Sequence, residues 1–201
     1  HSEVNEALVR QLHRCEFMED AQNVVLVGGT GTGKTHLAIA IARACIRDGA
    51  RGRFYNVVDL VNRLEAETRA GRQGRIADHL CRLDFVVLDE LGYLPFEPDA
   101  AHLFFQLVNA RYEKGAMILT SNRGFAEWGD VFGDPVVATA LLDRLLHHAV
   151  VIQIEGSSYR MRQHADLLPE HARMAPSNNP PPLPKRRGRP PAKEKPDLHH
   201  G

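Results

Sequence analysis

The chain is poor in cysteine: Cys15, Cys45 and Cys81 are the only three among 201 residues. They are odd in number, widely spaced and unpaired by any motif. That excludes a disulfide scaffold or a cysteine zinc framework and predicts reduced core thiols in a cytosolic protein. No apolar run approaches the roughly 20 residues that a bilayer-spanning helix needs, so no membrane partner is expected. No secretory signal pattern stands at the start. The chain opens at His1 rather than Met, which reads as a fragment or a processed chain. There is no internal repeat. The 11 histidines are mostly scattered. His147-His148 and His199-His200 are adjacent pairs without helical i, i+4 ligand spacing, so no histidine metal site is expected.

Neither sign of charge dominates, since 25 basic residues balance 25 acidic ones. The balance hides a division. Residues 169–201 hold seven Lys/Arg against three Asp/Glu, leaving the preceding 168 residues with 18 basic and 22 acidic. A mildly acidic body with a basic tail suggests an anionic polymer met partly through the tail. Nine of the 12 prolines lie in 169–201, and Pro180-Pro181-Pro182-Leu183-Pro184 cannot be helix or central strand. That tail reads as disordered when free.

The rest is ordinary globular material, 43% hydrophobic and 25% charged, and long enough for one domain with a real core. Residues 1–22 read as a helix, with Val4, Leu8 and Leu12 on one face and Phe17 beyond them. From residue 23 short apolar strands alternate with helices. Strands are predicted at Val24–Val27, Arg53–Val57, Phe85–Leu88, Ala116–Thr120 and Ala149–Ile154. Helices are predicted at Lys34–Arg47, Val58–Ala70, Gly74–Arg82, Asp99–Glu113 and Asp134–His148. The pattern implies an α/β fold, a parallel sheet with helices on both faces. The domain organisation is then an N-terminal helix over 1–22, a core over 23–168 and the tail over 169–201.

The most informative stretch is Gly28-Gly29-Thr30-Gly31-Thr32-Gly33-Lys34-Thr35. It fits the phosphate-binding loop G-x-x-x-x-G-K-[ST], with a strand before it and a helix after it. The glycines let the backbone wrap a polyphosphate, and the amides and helix N-terminus point at the anion. Lys34 would reach the outer phosphates, and the Thr35 hydroxyl would hold Mg²⁺. Some 55 residues on, the apolar strand Phe85–Leu88 ends in Asp89-Glu90, the Walker B pattern. Asp89 would share the Mg²⁺ with Thr35, and Glu90 would polarise a water for attack on the γ-phosphate. The pair favours ATP hydrolysis over phosphoryl transfer to a metabolite.

Asn122, at the end of the next apolar strand, is placed to bond the attacking water or the γ-phosphate. A plain Ser121-Asn122 turn is the alternative. Arg144 stands with Asp143 in an otherwise apolar helix, a costly arrangement unless the charges are used or paired. It is open between an arginine finger completing a neighbouring subunit's site and an internal surface pair with Asp143.

These residues carry a family resemblance. The order Gly28 to Thr35 followed by His36-Leu37-Ala38, then Leu88-Asp89-Glu90-Leu91-Gly92-Tyr93-Leu94-Pro95-Phe96, Thr120-Ser121-Asn122, Trp128 to Asp134, Leu142 to His148 and Ser158-Tyr159-Arg160 resembles the IstB family. These are transposition helper ATPases of bacterial insertion sequences, related to DnaC-type helicase loaders within the AAA+ class. The resemblance covers about residues 1–165. It implies a P-loop NTPase of AAA+ type with little or no C-terminal lid, ATP-dependent assembly into a homo-oligomer on duplex DNA, and co-operation with a cognate transposase. It also implies that the loop contacts extend to His36, that Arg144 acts in trans, and that Arg160 is a second sensor of bound nucleotide. Family members usually carry a further helical segment, associated with multimer contacts and DNA engagement, before the point where this chain begins.

In the tail, Lys185-Arg186-Arg187-Gly188-Arg189-Pro190 contains Arg-Gly-Arg-Pro and resembles the AT-hook, an extended element of the A·T-rich minor groove. Glycine lets the backbone sit deep, arginines reach into a narrow electronegative groove, and proline keeps the chain extended. A generic solvated basic tail is the alternative. A DnaC-type loader acting on single-stranded DNA and a replicative helicase is the second functional expectation, and a non-catalytic DNA tether the third. Arg63, Arg69, Arg72, Arg75, Tyr93 and Phe96 are open as DNA-facing residues of the core.

Overall fold

A computed structural model describes residues 6–156. Arg160, the tail motif Lys185 to Pro190 and any lid beyond the core lie outside the described residues.

The described chain runs α1 (Glu6–Leu12), β1 (Asn23–Gly28), α2 (Lys34–Arg47), β2 (Gly52–Asn56), α3 (Val57–Arg69), α4 (Arg75–Leu80), β3 (Phe85–Leu91), α5 (Pro98–Arg111), β4 (Ala116–Ser121), α6 (Trp128–Phe132), α7 (Pro135–Leu146) and β5 (Ala149–Ile154), with 3₁₀ turns at Glu16–Met18 and Phe125–Glu127. All strand pairs are parallel, in the order β2-β3-β4-β1-β5. This is the α/β sheet that the apolar strands predict.

Alternate residues of each strand face opposite sides, and the two sides build two cores. Val25, Val86, Leu88, Met117 and Leu119 pack with α3, α5, α6 and α7. Val24, Leu26, Val87, Ile118 and Ile152 pack with α2 and with Leu12 and Phe17. Sandwiched on both faces, β3 and β4 are almost wholly buried. That is why they read as unbroken apolar runs rather than alternating ones.

Three local features differ from the sequence expectation. The N-terminal helix stops at Leu12, because Cys15 (φ 64°) and Ala21 (φ 49°) adopt left-handed backbone that no α-helix accommodates. The second strand ends at Asn56, not Val57, because the Asn56 side chain accepts a hydrogen bond from Val58 N at 2.9 Å and starts α3. The short helix α6 is additional. Its Trp128 and Phe132 pack with Phe125, Phe96 and Phe104 in an aromatic cluster beneath the loop that follows β3. Phe96 N donates to Val131 O at 2.8 Å and ties that loop to α6. The next helix, α7, opens as its sequence dictates. Asp134 caps it by accepting from Val136 N at 2.7 Å, and Pro135 occupies the first turn.

Candidate nucleotide site

The carboxyl ends of β1, β3 and β4 and the start of α2 surround a cavity of about 700 Å³. Its lining brings together Thr30 to His36, Glu90, Tyr93, Thr120 and Asn122. Clefts at this edge of an open parallel sheet are where such folds bind ligands.

The loop between β1 and α2 is shaped by its glycines. Gly33 (φ 96°) caps α2 in a left-handed conformation that a side chain would strain. Gly28 passes so close to β5 that a Cβ there would stand 2.3 Å from the Ile154 carbonyl oxygen. Thr32 Oγ1 donates to Gly29 O at 2.8 Å. Lys34 is 8% exposed, and its Nζ donates to Gly28 O at 2.9 Å and Gly29 O at 2.7 Å. The ammonium is thus held over the loop it would share with a polyphosphate.

The acidic pair of β3 is placed by a bulge. Pairing with β4 jumps from Leu88–Leu119 to Leu91–Ser121, one extra residue on β3, and Glu90 sits in the left-handed region at φ 65°. A bulge re-aims side chains, and here it separates the two acids. Asp89 points into the sheet edge and is buried. Its Oδ1 accepts from Thr35 Oγ1 at 3.0 Å and from Thr120 Oγ1 at 2.6 Å. Thr120 Oγ1 also accepts from Glu90 N at 2.9 Å, so one hydroxyl serves both acids. The Glu90 carboxylate stands in the cavity and accepts from Asn56 Nδ2 at 2.6 Å.

Thr35 and Asp89 therefore offer two hard oxygen donors side by side at the helix N-terminus. Such a donor set fits Mg²⁺, which takes one or two protein oxygens and completes its octahedron with phosphate and water. Asn122 also lines the cavity, and its Oδ1 is buried with no hydrogen-bond partner among the described residues. A smaller cavity of about 270 Å³ adjoins it, lined by Gly28, Gly29, Asn122, Glu127 and residues of β5.

Arg144 is not among the lining residues. It lies on α7, near the opposite edge of the sheet, with its guanidinium 4.7 Å from the Tyr112 ring centroid. Its Nε donates to Asn109 Oδ1 at 3.3 Å, and its Nη1 is 3.4 Å from Asp143 Oδ2. Its side chain is 38% exposed. Of the residues open as DNA-facing, Phe96 is buried in the aromatic cluster, whereas Tyr93 and the four arginines of 63–75 are exposed.

The sequence alone assigns no place beside the acidic pair to three residues: Asn56, Thr120, named only within its motif, and Tyr93, a wall of the cavity open in the sequence only as DNA-facing. Thr120 was visible as the residue opposite the Walker B end in the next strand. Nothing local singles out Asn56, since it reads as a helix cap.

Residues 1–166 match the family of IstB-like ATP binding proteins. The chain belongs to that family. Among curated relatives, the ATP-binding protein of insertion sequence IS21 from Pseudomonas aeruginosa is 45% identical over 160 residues, covering 80% of this chain and 60% of the relative. That of IS5376 from Geobacillus stearothermophilus is 42% identical over 163 residues, covering 80% and 64%. The chain thus spans less than two thirds of the length of these relatives. Among solved structures, the DnaC helicase loader superposes with a TM-score of 0.59 at 24% identity, over 74% of this chain and 87% of that one. The fold is that of the AAA+ P-loop proteins, and membership of the IstB-like family makes this a nucleotide-binding chain. No helix among the described residues is long and apolar enough to cross a membrane.

Proposed function

We propose that this chain is the ATP-hydrolysing core of a transposition helper, which assembles with copies of itself on duplex DNA and assists a cognate transposase in target capture. The observation that carries the hydrolytic part is the shared hydroxyl of Thr120. It bonds both Asp89 and the backbone of Glu90, and Thr35 joins Asp89 from the loop side.

Each residue then has a task. The loop amides of Gly28 to Thr35 and the Lys34 ammonium hold the β- and γ-phosphates, and His36 lies beside them. Thr35 and Asp89 hold Mg²⁺, which when bound draws charge off the phosphate oxygens. Glu90 polarises the attacking water, and the side chain of Asn122, whose Oδ1 has no partner among the described residues, contacts that water or the γ-phosphate. Arg144 serves the site of a neighbouring copy, which fits its distance from the cavity of its own chain. Arg160 senses the nucleotide. The tail residues Lys185, Arg186, Arg187, Gly188, Arg189 and Pro190 hold duplex DNA through its minor groove. ATP, by ordering the contact between copies, and DNA, by bridging them, then favour the same assembly and strengthen each other's binding.

The insertion-sequence context of the 45% and 42% identical relatives supports the transposition role. The test is binding of the chain to random duplex and to single-stranded DNA, each with ATP and with ADP, followed by sedimentation. Large assemblies on duplex that need ATP are expected. A preference for single strands would instead mark a helicase loader. Nucleotide-independent binding by small species would leave DNA contact to the tail alone, and absence of phosphate release would remove the ATPase.

A further inference from the structure

The helices α5 and α7 end side by side at the amino-terminal edge of the sheet, because each feeds directly into a strand, β4 and β5. This edge is opposite the phosphate loop. Beyond α5 the chain turns through Glu113, at φ 58°, and Lys114 N closes the turn on Arg111 O at 2.9 Å. Beyond α7 come His147 and His148. One carboxylate oxygen of Glu113 and one ring nitrogen of each histidine lie within 4.8 Å of one another. The residues are 34 apart in sequence, so no spacing rule could find the group.

We propose that Glu113, His147 and His148 form a site for one divalent transition-metal ion of the zinc class, distinct from the Mg²⁺ pair Thr35 and Asp89. Two imidazoles and a carboxylate suit borderline ions such as Zn²⁺, whereas Mg²⁺ prefers oxygen alone. Three protein ligands with the remaining positions left to water or another donor is a recurrent zinc arrangement. In a tetrahedron with bonds of about 2.0–2.1 Å the ligand atoms stand about 3.4 Å apart. The three groups are exposed, so side-chain rotation alone closes the difference without disturbing the core.

A second contact supports the site. The Tyr112 hydroxyl and His147 Nδ1 share a hydrogen bond, and the two rings stack with centroids 5.7 Å apart. The tautomer with its proton on Nδ1 donates to the Tyr112 oxygen and presents Nε2 to a metal, the outer-shell arrangement that orients metal-bound histidines. The ring of His148 lies 4.3 Å from that of His147. The Arg144 guanidinium over Tyr112 adds a positive charge nearby, while Glu113 and Asp143 offset it. An open, exposed, three-ligand site of this kind binds more weakly than a closed structural zinc. Bound metal clasps the end of α5 to the end of α7 and fixes Tyr112, on which Arg144 rests.

The test titrates Zn²⁺ into the full chain and into Glu113→Gln, His147→Gln and His148→Gln, with the tail double variant His199→Gln/His200→Gln as control. One ion per chain is expected, bound at least about tenfold more weakly by each of the first three (a loss of about 1.4 kcal/mol) and unchanged in the tail variant. Loss confined to the tail variant, or no stoichiometric binding, overturns the site. On the unmodified chain, Zn²⁺ must also protect His147 and His148 from diethylpyrocarbonate while His13, His79 and His102 stay reactive. Equal modification with and without Zn²⁺ overturns it independently of any variant's folding.

Discussion

Asn56 Nδ2 donates to Glu90 Oε2 at 2.6 Å, from the end of β2 to the bulge of β3. The same Asn56 caps α3 through its other side-chain atom, so its amide is held rigidly and the carboxylate is held with it. A hydrogen bond to a charged group is worth about 1.5–3 kcal/mol. On the proposed mechanism, Glu90 engages a water at the γ-phosphate by loosening this bond. Asn56→Ala is therefore expected to raise ATP hydrolysis without DNA by about threefold to tenfold, at some loss of stability from the missing cap. Phosphate release with and without duplex DNA measures it, and an unchanged or lower basal rate would show that Asn56 positions Glu90 rather than restrains it.

Removing the carboxylate acts in the opposite sense. Glu90→Gln keeps the loop, Lys34, Thr35 and Asp89, so ATP affinity is expected to stay within about twofold while hydrolysis falls by at least about a hundredfold. ATP-bound assemblies on DNA should then persist. Sedimentation after ATP dilution reads this directly, and disassembly at the rate of the unmodified chain would separate release from hydrolysis.

Thr120 carries the second prediction of hydrogen-bond loss. It is 1% exposed and serves Asp89 and Glu90 together. Thr120→Val keeps the shape but strands the Glu90 N–H and leaves Asp89 Oδ1 with only its Thr35 hydroxyl bond. Each unsatisfied buried group costs about 1–3 kcal/mol. A clear fall in the urea midpoint and a loss of hydrolysis are expected together, with Thr120→Ser restoring most of both. Hydrolysis surviving in the valine variant would remove the hydroxyl from the machinery.

These residues mark the boundary of what the sequence makes legible. The loop and the Walker B strand are local signals, because glycine conformation and continuous burial leave their mark within a few residues. The sheet and both helical layers follow from the same apolar runs. The bulge at Glu90 and the partnership of Asn56 with Glu90 depend on which strands become neighbours, and no periodicity records that. Likewise Glu113 meets His147 and His148 only because two helices end at one sheet edge.

Acid sensitivity has an identifiable contributor at the far edge of the sheet. Asp84 Oδ2 accepts from Arg51 N at 2.7 Å, and its carboxyl is held below its ordinary value of 3.8, chiefly by that backbone bond. A carboxyl depressed on folding adds stability that is present above the unfolded value and is lost as pH falls through the folded one. The group is largely solvated, so the effect is small. Asp84→Asn is expected to lower the urea midpoint slightly at pH 7, with the gap to the unmodified chain closing below pH 3.8. A gap that does not change with pH would rule the linkage out.

Arg144 offers the sharpest test of assembly, because it is remote from the cavity of its own chain and braced by Asn109, Asp143 and Tyr112. Arg144→Ala alone should keep ATP affinity and lose hydrolysis. Lys34→Ala alone should lose both. If the arginine of one copy serves the nucleotide of the next, mixing the two variants rebuilds intact junctions, with the loop from the first and Arg144 from the second. Phosphate release should then reappear, up to roughly a quarter of the unmodified rate for random pairing, although neither variant hydrolyses ATP by itself. Recovery of that size requires an arginine acting across the contact between copies. A mixture as inactive as its parts would confine Arg144 to the braced cluster at the end of α7, where its loss would act through stability and not through the site.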